Sequence, residues 1–123
     1  EISVAPPAAG TGIIAVGALG KSNQGYAIAD FSNNQADVAA PGVDIISADA
    51  GTSGLVSMSG TSMATPHAAG VAALWAQRQL KMTGRIENVS LMTQLVASGT
   101  YDPLAPDSEE DDVGTGIIQA PLR

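Results

Sequence analysis

The longest apolar pattern in the chain runs from Met63 to Ala76. There Ala64, Ala68, Ala69, Gly70, Val71, Ala72, Ala73, Leu74 and Trp75 leave no polar face for water. The pattern predicts a helix that continues to about Leu80, stops at Gly84 and lies inside a larger body. Upstream, a loop over residues 1–12 leads into an apolar strand from Ile13 to Ala18. Asp37 to Ala40 reads as a short buried strand, Pro41-Gly42 as a turn, and Asp44 to Ala48 as a further strand. Gly51 to Gly54 then turns the chain into Leu55 to Ser59, which passes through Gly60 into the long helix. Beyond it, Val89, Leu91, Met92, Leu95 and Val96 form the apolar side of an amphipathic helix over Asn88 to Ala97, closed by Gly99. Tyr101 to Asp112 is expected to be a loop.

Composition narrows the architecture. With one Phe, one Trp, two Tyr and 14 Gly in 123 residues, the interior has to be packed from Ala, Val, Ile and Leu against closely approaching backbones. That style suits an α/β fold with helices on a buried sheet. The formal charge of −7 argues against nucleic acid or an anionic membrane as partner, because both need Lys and Arg patches to displace counterions. Gln77 and Arg78 end the longest apolar stretch short of a membrane-spanning length. The chain has no Cys, so it has no disulfide and no thiolate zinc site.

Two motifs invite chemistry and lose it on inspection. Ala15 followed by Gly20-Lys21-Ser22 approximates a phosphate-binding loop, but Asn23-Gln24-Gly25 stands where a helix has to begin, so a surface turn with a solvated lysine is expected. The acidic run Asp107-Ser108-Glu109-Glu110-Asp111-Asp112 lacks the alternating ligands and central Gly of an EF-hand, and is expected to be a solvated charge run.

The start of the long helix is different. Pro66 has no N–H for the carbonyl four residues back, which is that of Ser62, so the first turn is distorted at the serine. Unpaired N–H groups and the positive end of the helix dipole lie beside that hydroxyl, ready to stabilise an oxyanion. A plainer alternative is a buried helix capped by Thr61 or Ser62 with no chemistry.

The octapeptide Gly60-Thr61-Ser62-Met63-Ala64-Thr65-Pro66-His67, followed by Ala69-Gly70, resembles the nucleophile segment of the subtilisin-like serine proteases. Further matches occur in the family's order: Gly12 to Ala18 resembles its buried strand, Phe31-Ser32 and Asp37 to Val43 the loop and strand before the serine, and Gly114 to Ile118 a strand near the end of the catalytic domain. The resemblance implies that residues 1–123 are the C-terminal part of a subtilisin-like parallel-sheet fold, with a buried central helix starting at the nucleophile. It implies peptide hydrolysis through an acyl-enzyme on Ser62, with the Ser62 backbone N–H as one oxyanion donor. Thr61 is expected to steady the serine turn by capping, Gly60 to turn the backbone sharply where a side chain would obstruct substrate, and Met63 to form a soft, oxidisable wall. The resemblance also makes Pro6-Pro7 a candidate cis bond and Asp37 a weak candidate for a cation site. No cofactor is required, although the complete domain is a candidate for structural calcium. Export or a periplasmic location follows from the family's habit alone, since no signal peptide is visible at Glu1.

One count stands against independent activity. The mechanism needs a histidine base oriented by an aspartate, and the chain's one histidine, His67, lies five positions after Ser62. At about 100° per residue it is turned roughly 140° away around the same helix. His67 is therefore expected to be a hydrogen-bonded helix residue, and a lone histidine is also a poor zinc site. The family's aspartate, histidine and oxyanion asparagine precede the segment resembling Ile13 to Ala18, and nothing here matches them. The expected partners are a protein or peptide substrate and either the missing N-terminal fragment or a second copy of the chain. The competing function is a catalytically inert binding module that keeps the scaffold without the triad.

Overall fold

The computed structural model describes residues 3–122. Among them the elements follow in the order β1 (Val16–Ser22), β2 (Gly25–Ile28), β3 (Val38–Pro41), β4 (Ile45–Ala48), β5 (Leu55–Met58), α1 (Thr61–Thr83), α2 (Asn88–Ala97) and α3 (Glu110–Val113). β1 is the middle strand of a three-stranded sheet. It pairs in parallel with β3, from Val16 opposite Val38 to Leu19 opposite Pro41, and antiparallel with β2, from Leu19 opposite Ile28 to Ser22 opposite Gly25. β4 and β5 form a separate antiparallel hairpin with Ile45 opposite Met58.

Small side chains explain why the sheet can be covered closely on both faces. Ala18, Val38 and Ala40 meet Ala64 and Ala68 of α1 together with Leu95 of α2, while Val71, Ala72 and Trp75 pack at the margin. On the opposite face Leu19, Ala39, Leu104, Val113 and Ile117 form a second cluster with Tyr26 and Ile28. Gln79 is a buried polar side chain of the first layer, and its Oε1 accepts the Glu87 N–H at 2.7 Å, which ties α1 to the entry of α2.

The long helix ends as its sequence dictates. Gly84 adopts φ 78° and its N–H donates to the Leu80 carbonyl at 2.8 Å. Its expected burial is not found, however. Ala64, Ala68 and Gln79 are the enclosed positions of α1, whereas Ala69, Gly70 and Ala73 are exposed and Leu74 keeps 47% of its surface. One sheet face and α2 reach one side of the helix only. The α2 bounds agree with the apolar periodicity, yet Val89 on that side is exposed, and Ser98 rather than Gly99 caps the helix through its N–H to the Gln94 carbonyl at 3.0 Å.

The remaining segments follow expectation in part. Lys21-Ser22 is the end of β1 and enters a tight hairpin into β2, with the Ser22 hydroxyl donating to the Gly25 carbonyl at 2.6 Å and accepting the Gln24 N–H at 3.2 Å. The sheet is consequently mixed rather than wholly parallel. Residues 114–118 form single bridges from Ile117 to Ala39 and to Thr100 instead of a strand, because Gly114 and Gly116 at φ 59° and 106° break the extended backbone. The acidic run contributes the short helix α3, anchored by fully buried Val113 with its carboxylates turned outward. The Pro6-Pro7 bond is cis.

Candidate active site

Ser62 stands at the second position of α1 and is exposed. Gly60 precedes the helix in an extended conformation, and its carbonyl accepts the N–H groups of Met63 at 3.0 Å and Ala64 at 3.3 Å. No backbone carbonyl among the described residues accepts from the N–H of Thr61 or Ser62. Those two donors therefore remain available beside the hydroxyl, at the positive end of a 23-residue helix. Pro66 lies inside α1 and offers nothing to the Ser62 carbonyl. The arrangement sets an exposed hydroxyl beside unpaired main-chain donors, a geometry that acyl transfer can use once a base is supplied.

The supporting residues differ in part from expectation. Thr61 does not cap, because it is itself the first helical residue; its carbonyl instead accepts the Thr65 hydroxyl at 2.9 Å. Gly60 is not forced into a turn that only glycine tolerates, since φ 162° is ordinary extended backbone. A Cβ at Gly60 would meet the Met63 sulfur at 3.4 Å, so the half-buried thioether lies against the entry to the serine. Asp37 is occupied in holding the strands: one carboxylate oxygen accepts the Ala15 N–H at 2.8 Å, and its own N–H donates to the Ala15 carbonyl at 2.9 Å. Among the described residues no group of three or more His, Cys, Asp or Glu is placed to hold a metal.

His67 is where the helical arithmetic puts it. Its Nδ1 lies 2.9 Å from the Met63 carbonyl, and because that oxygen can only accept, Nδ1 carries the proton. The ring is thereby tied to its own helix and does not serve Ser62. The cavities of about 430 and 600 Å³ lie elsewhere, beside Leu74, Met82 and Pro121 and beside Asp37, Glu110 and Thr115.

Gly42 reads in the sequence as a turn residue only, and the structure gives it a further contact. Gly42 directly follows β3, donates its N–H to the Leu19 carbonyl at 2.9 Å, and accepts the Gly60 N–H at 2.8 Å. Pro41-Gly42 was the visible signal, but the contact with Gly60 is made 18 positions away and no local pattern encodes it.

A mixed sheet covered by helices, with an exposed serine at the entry of the longest of them, defines the class as α/β. Residues 2–116 match the model of the subtilase family. The chain is 41% identical over 100 residues to a thermophilic serine proteinase of Bacillus sp. (strain AK1), covering 77% of this chain and 23% of that protein. It is 42% identical over 102 residues to subtilisin E of Bacillus subtilis (strain 168), covering 80% of this chain and 24% of the relative. Among solved structures it superposes on sphericase with a TM-score of 0.79 at 26% identity, covering 97% of this chain and 44% of that one. The prenylagaramide maturation protease PagA gives 0.75 at 34% identity, covering 93% and 42%. This chain belongs to the subtilase family. It spans about a quarter of the length of the curated relatives it matches.

Proposed function

We propose that the chain supplies the nucleophile portion of a subtilisin-type serine endopeptidase. The observation that carries this reading is the exposed Ser62 at a helix entry whose Thr61 and Ser62 N–H groups have no backbone partner among the described residues. In the proposed reaction the Ser62 hydroxyl oxygen bonds to the carbonyl carbon of a peptide while its proton passes to a base. The carbonyl oxygen then carries negative charge, which the Ser62 N–H stabilises. Collapse of this intermediate breaks the C–N bond, the leaving amine takes the proton, and water later releases the acyl group from Ser62. No cofactor enters these steps.

The base comes from polypeptide outside this chain. His67 supports this by being held on the Met63 carbonyl, and the relatives' greater length supports it independently. The exposed side of α1 is then covered by that polypeptide or by a second copy of the chain. Sedimentation of the isolated chain as a well-behaved monomer would count against such coverage. The substrate is a protein or peptide, and the parent protein is exported. No helix among the described residues is long and apolar enough to cross a membrane.

The test is fluorophosphonate labelling. The full-length protein that carries this chain should be labelled on Ser62, the Ser62→Ala variant should not, and the isolated chain should react far more slowly. A full-length protein left unlabelled would favour the second reading, an inert subtilase-like interaction module.

A further inference from the structure

The contact between β3 and the serine turn is closer than a strand end requires. A Cβ built on Gly42 would stand 2.7 Å from the Ala18 Cβ, 2.8 Å from the Gly60 carbonyl oxygen and 3.2 Å from the Ala64 Cβ. Gly42 is not among the glycines with positive φ, so close approach rather than backbone freedom explains the residue. Ala18 and Ala64 are fully buried and have no room to withdraw. The Gly60 carbonyl is the one that accepts Met63 and Ala64, so its orientation sets the turn that holds Ser62.

A second rung lies one residue nearer β5. The Asp44 N–H, in left-handed backbone at φ 53°, donates to the Ser59 hydroxyl at 2.9 Å. Main-chain bonds thus run from Leu19 in β1 through Gly42 to Gly60, with the Asp44–Ser59 bond alongside. We infer that Gly42 is a positioning residue, whose missing side chain lets the sheet fix the height of Ser62 above it. This inference rests on the proposed protease function.

The experiment uses the full-length protein and fluorophosphonate labelling, with the maximal labelling rate measured separately from the reagent's apparent affinity. Gly42→Ala is expected to lower the maximal rate about 10- to 100-fold, because misplacing a reacting atom by about 1 Å costs on that order, while apparent affinity changes less than about twofold. The double variant Gly42→Ala with Ala18→Gly removes the nearest side-chain contact but keeps the methyl against the Gly60 oxygen. It should recover the unfolding midpoint without recovering the rate, whereas a merely structural role would restore both together and overturn the inference. Ser59→Ala adds no volume at an exposed site and should slow labelling about threefold, roughly the loss of one weak hydrogen bond. Should both Gly42 variants fail to fold, a wild-type rate in Ser59→Ala would overturn the anchor. Normal labelling of Gly42→Ala overturns the positioning role alone; absence of labelling in the unsubstituted protein overturns the protease reading and this inference with it.

Discussion

The two sides of α1 share one composition and have opposite surroundings. On the sheet side Ala64 and Ala68 keep 0% and 4% of their surface, with Val71, Ala72 and Trp75 packed beside them. On the other, Ala69, Gly70, Ala73 and Leu74 face outward. A helix of small apolar residues announces that it is to be enclosed all round, but not what encloses it. The sheet side is enclosed by local neighbours in this chain, and the open side is the one the proposed upstream polypeptide would cover.

The sharpest way to break the comparison is to place a charge on each side. Ala68→Asp buries a carboxylate without a partner and should destabilise the isolated chain by about 3 kcal/mol or more, read from urea unfolding. Ala73→Asp should change the isolated chain by less than about 0.5 kcal/mol, yet destabilise the full-length protein by several times that. Equal effects of the two substitutions in the isolated chain would remove the distinction. Next in size is Gly99→Ala, whose Cβ would clash with the Thr115 hydroxyl and lie 2.6 Å from the Thr115 carbonyl oxygen. It should cost about 1–3 kcal/mol through overpacking where the end of α2 meets residues 114–116, read as a lowered unfolding midpoint.

A smaller effect is expected at the margin of the two sides, where the Trp75 indole N–H donates to the Gln119 carbonyl at 2.8 Å. Trp75→Phe keeps most of the apolar area and loses that bond, for about 1 kcal/mol. The smallest belongs to Tyr101, remote from α1, whose hydroxyl donates to the Gly114 carbonyl at 2.8 Å. Partial desolvation, with the Glu110 charge second, raises its pKa above the ordinary 10.0. A raised pKa means the folded state holds the proton longer than the unfolded one. The contribution is therefore complete below pH 10.0 and fades as pH rises through the folded value. Tyr101→Phe should abolish this alkaline component in a stability-against-pH series.

Much of this architecture was legible because its signals are local. The proline-interrupted entry at Ser62, the Gly84 stop, the α2 periodicity and the strands at β3, β4 and β5 each follow from neighbouring residue types. What escaped is non-local. β2 is a four-residue strand that exists by pairing with the polar end of β1, and the α3 turn forms where buried Val113 draws acidic neighbours onto the sheet. The same holds at the site: the serine is written in the octapeptide, while the Gly42 contact that fixes it depends on three segments meeting. Thr61 shows the limit of propensity, since a good capping residue placed one position late makes no cap.

Gln79 carries one more consequence. By clasping the Glu87 amide it joins the far end of α1 to the entry of α2. At a rise of about 1.5 Å per residue the clasp sits about 26 Å along the helix from Ser62. Loosening it would fray the corner between the two helices while the serine turn stays pinned on the sheet.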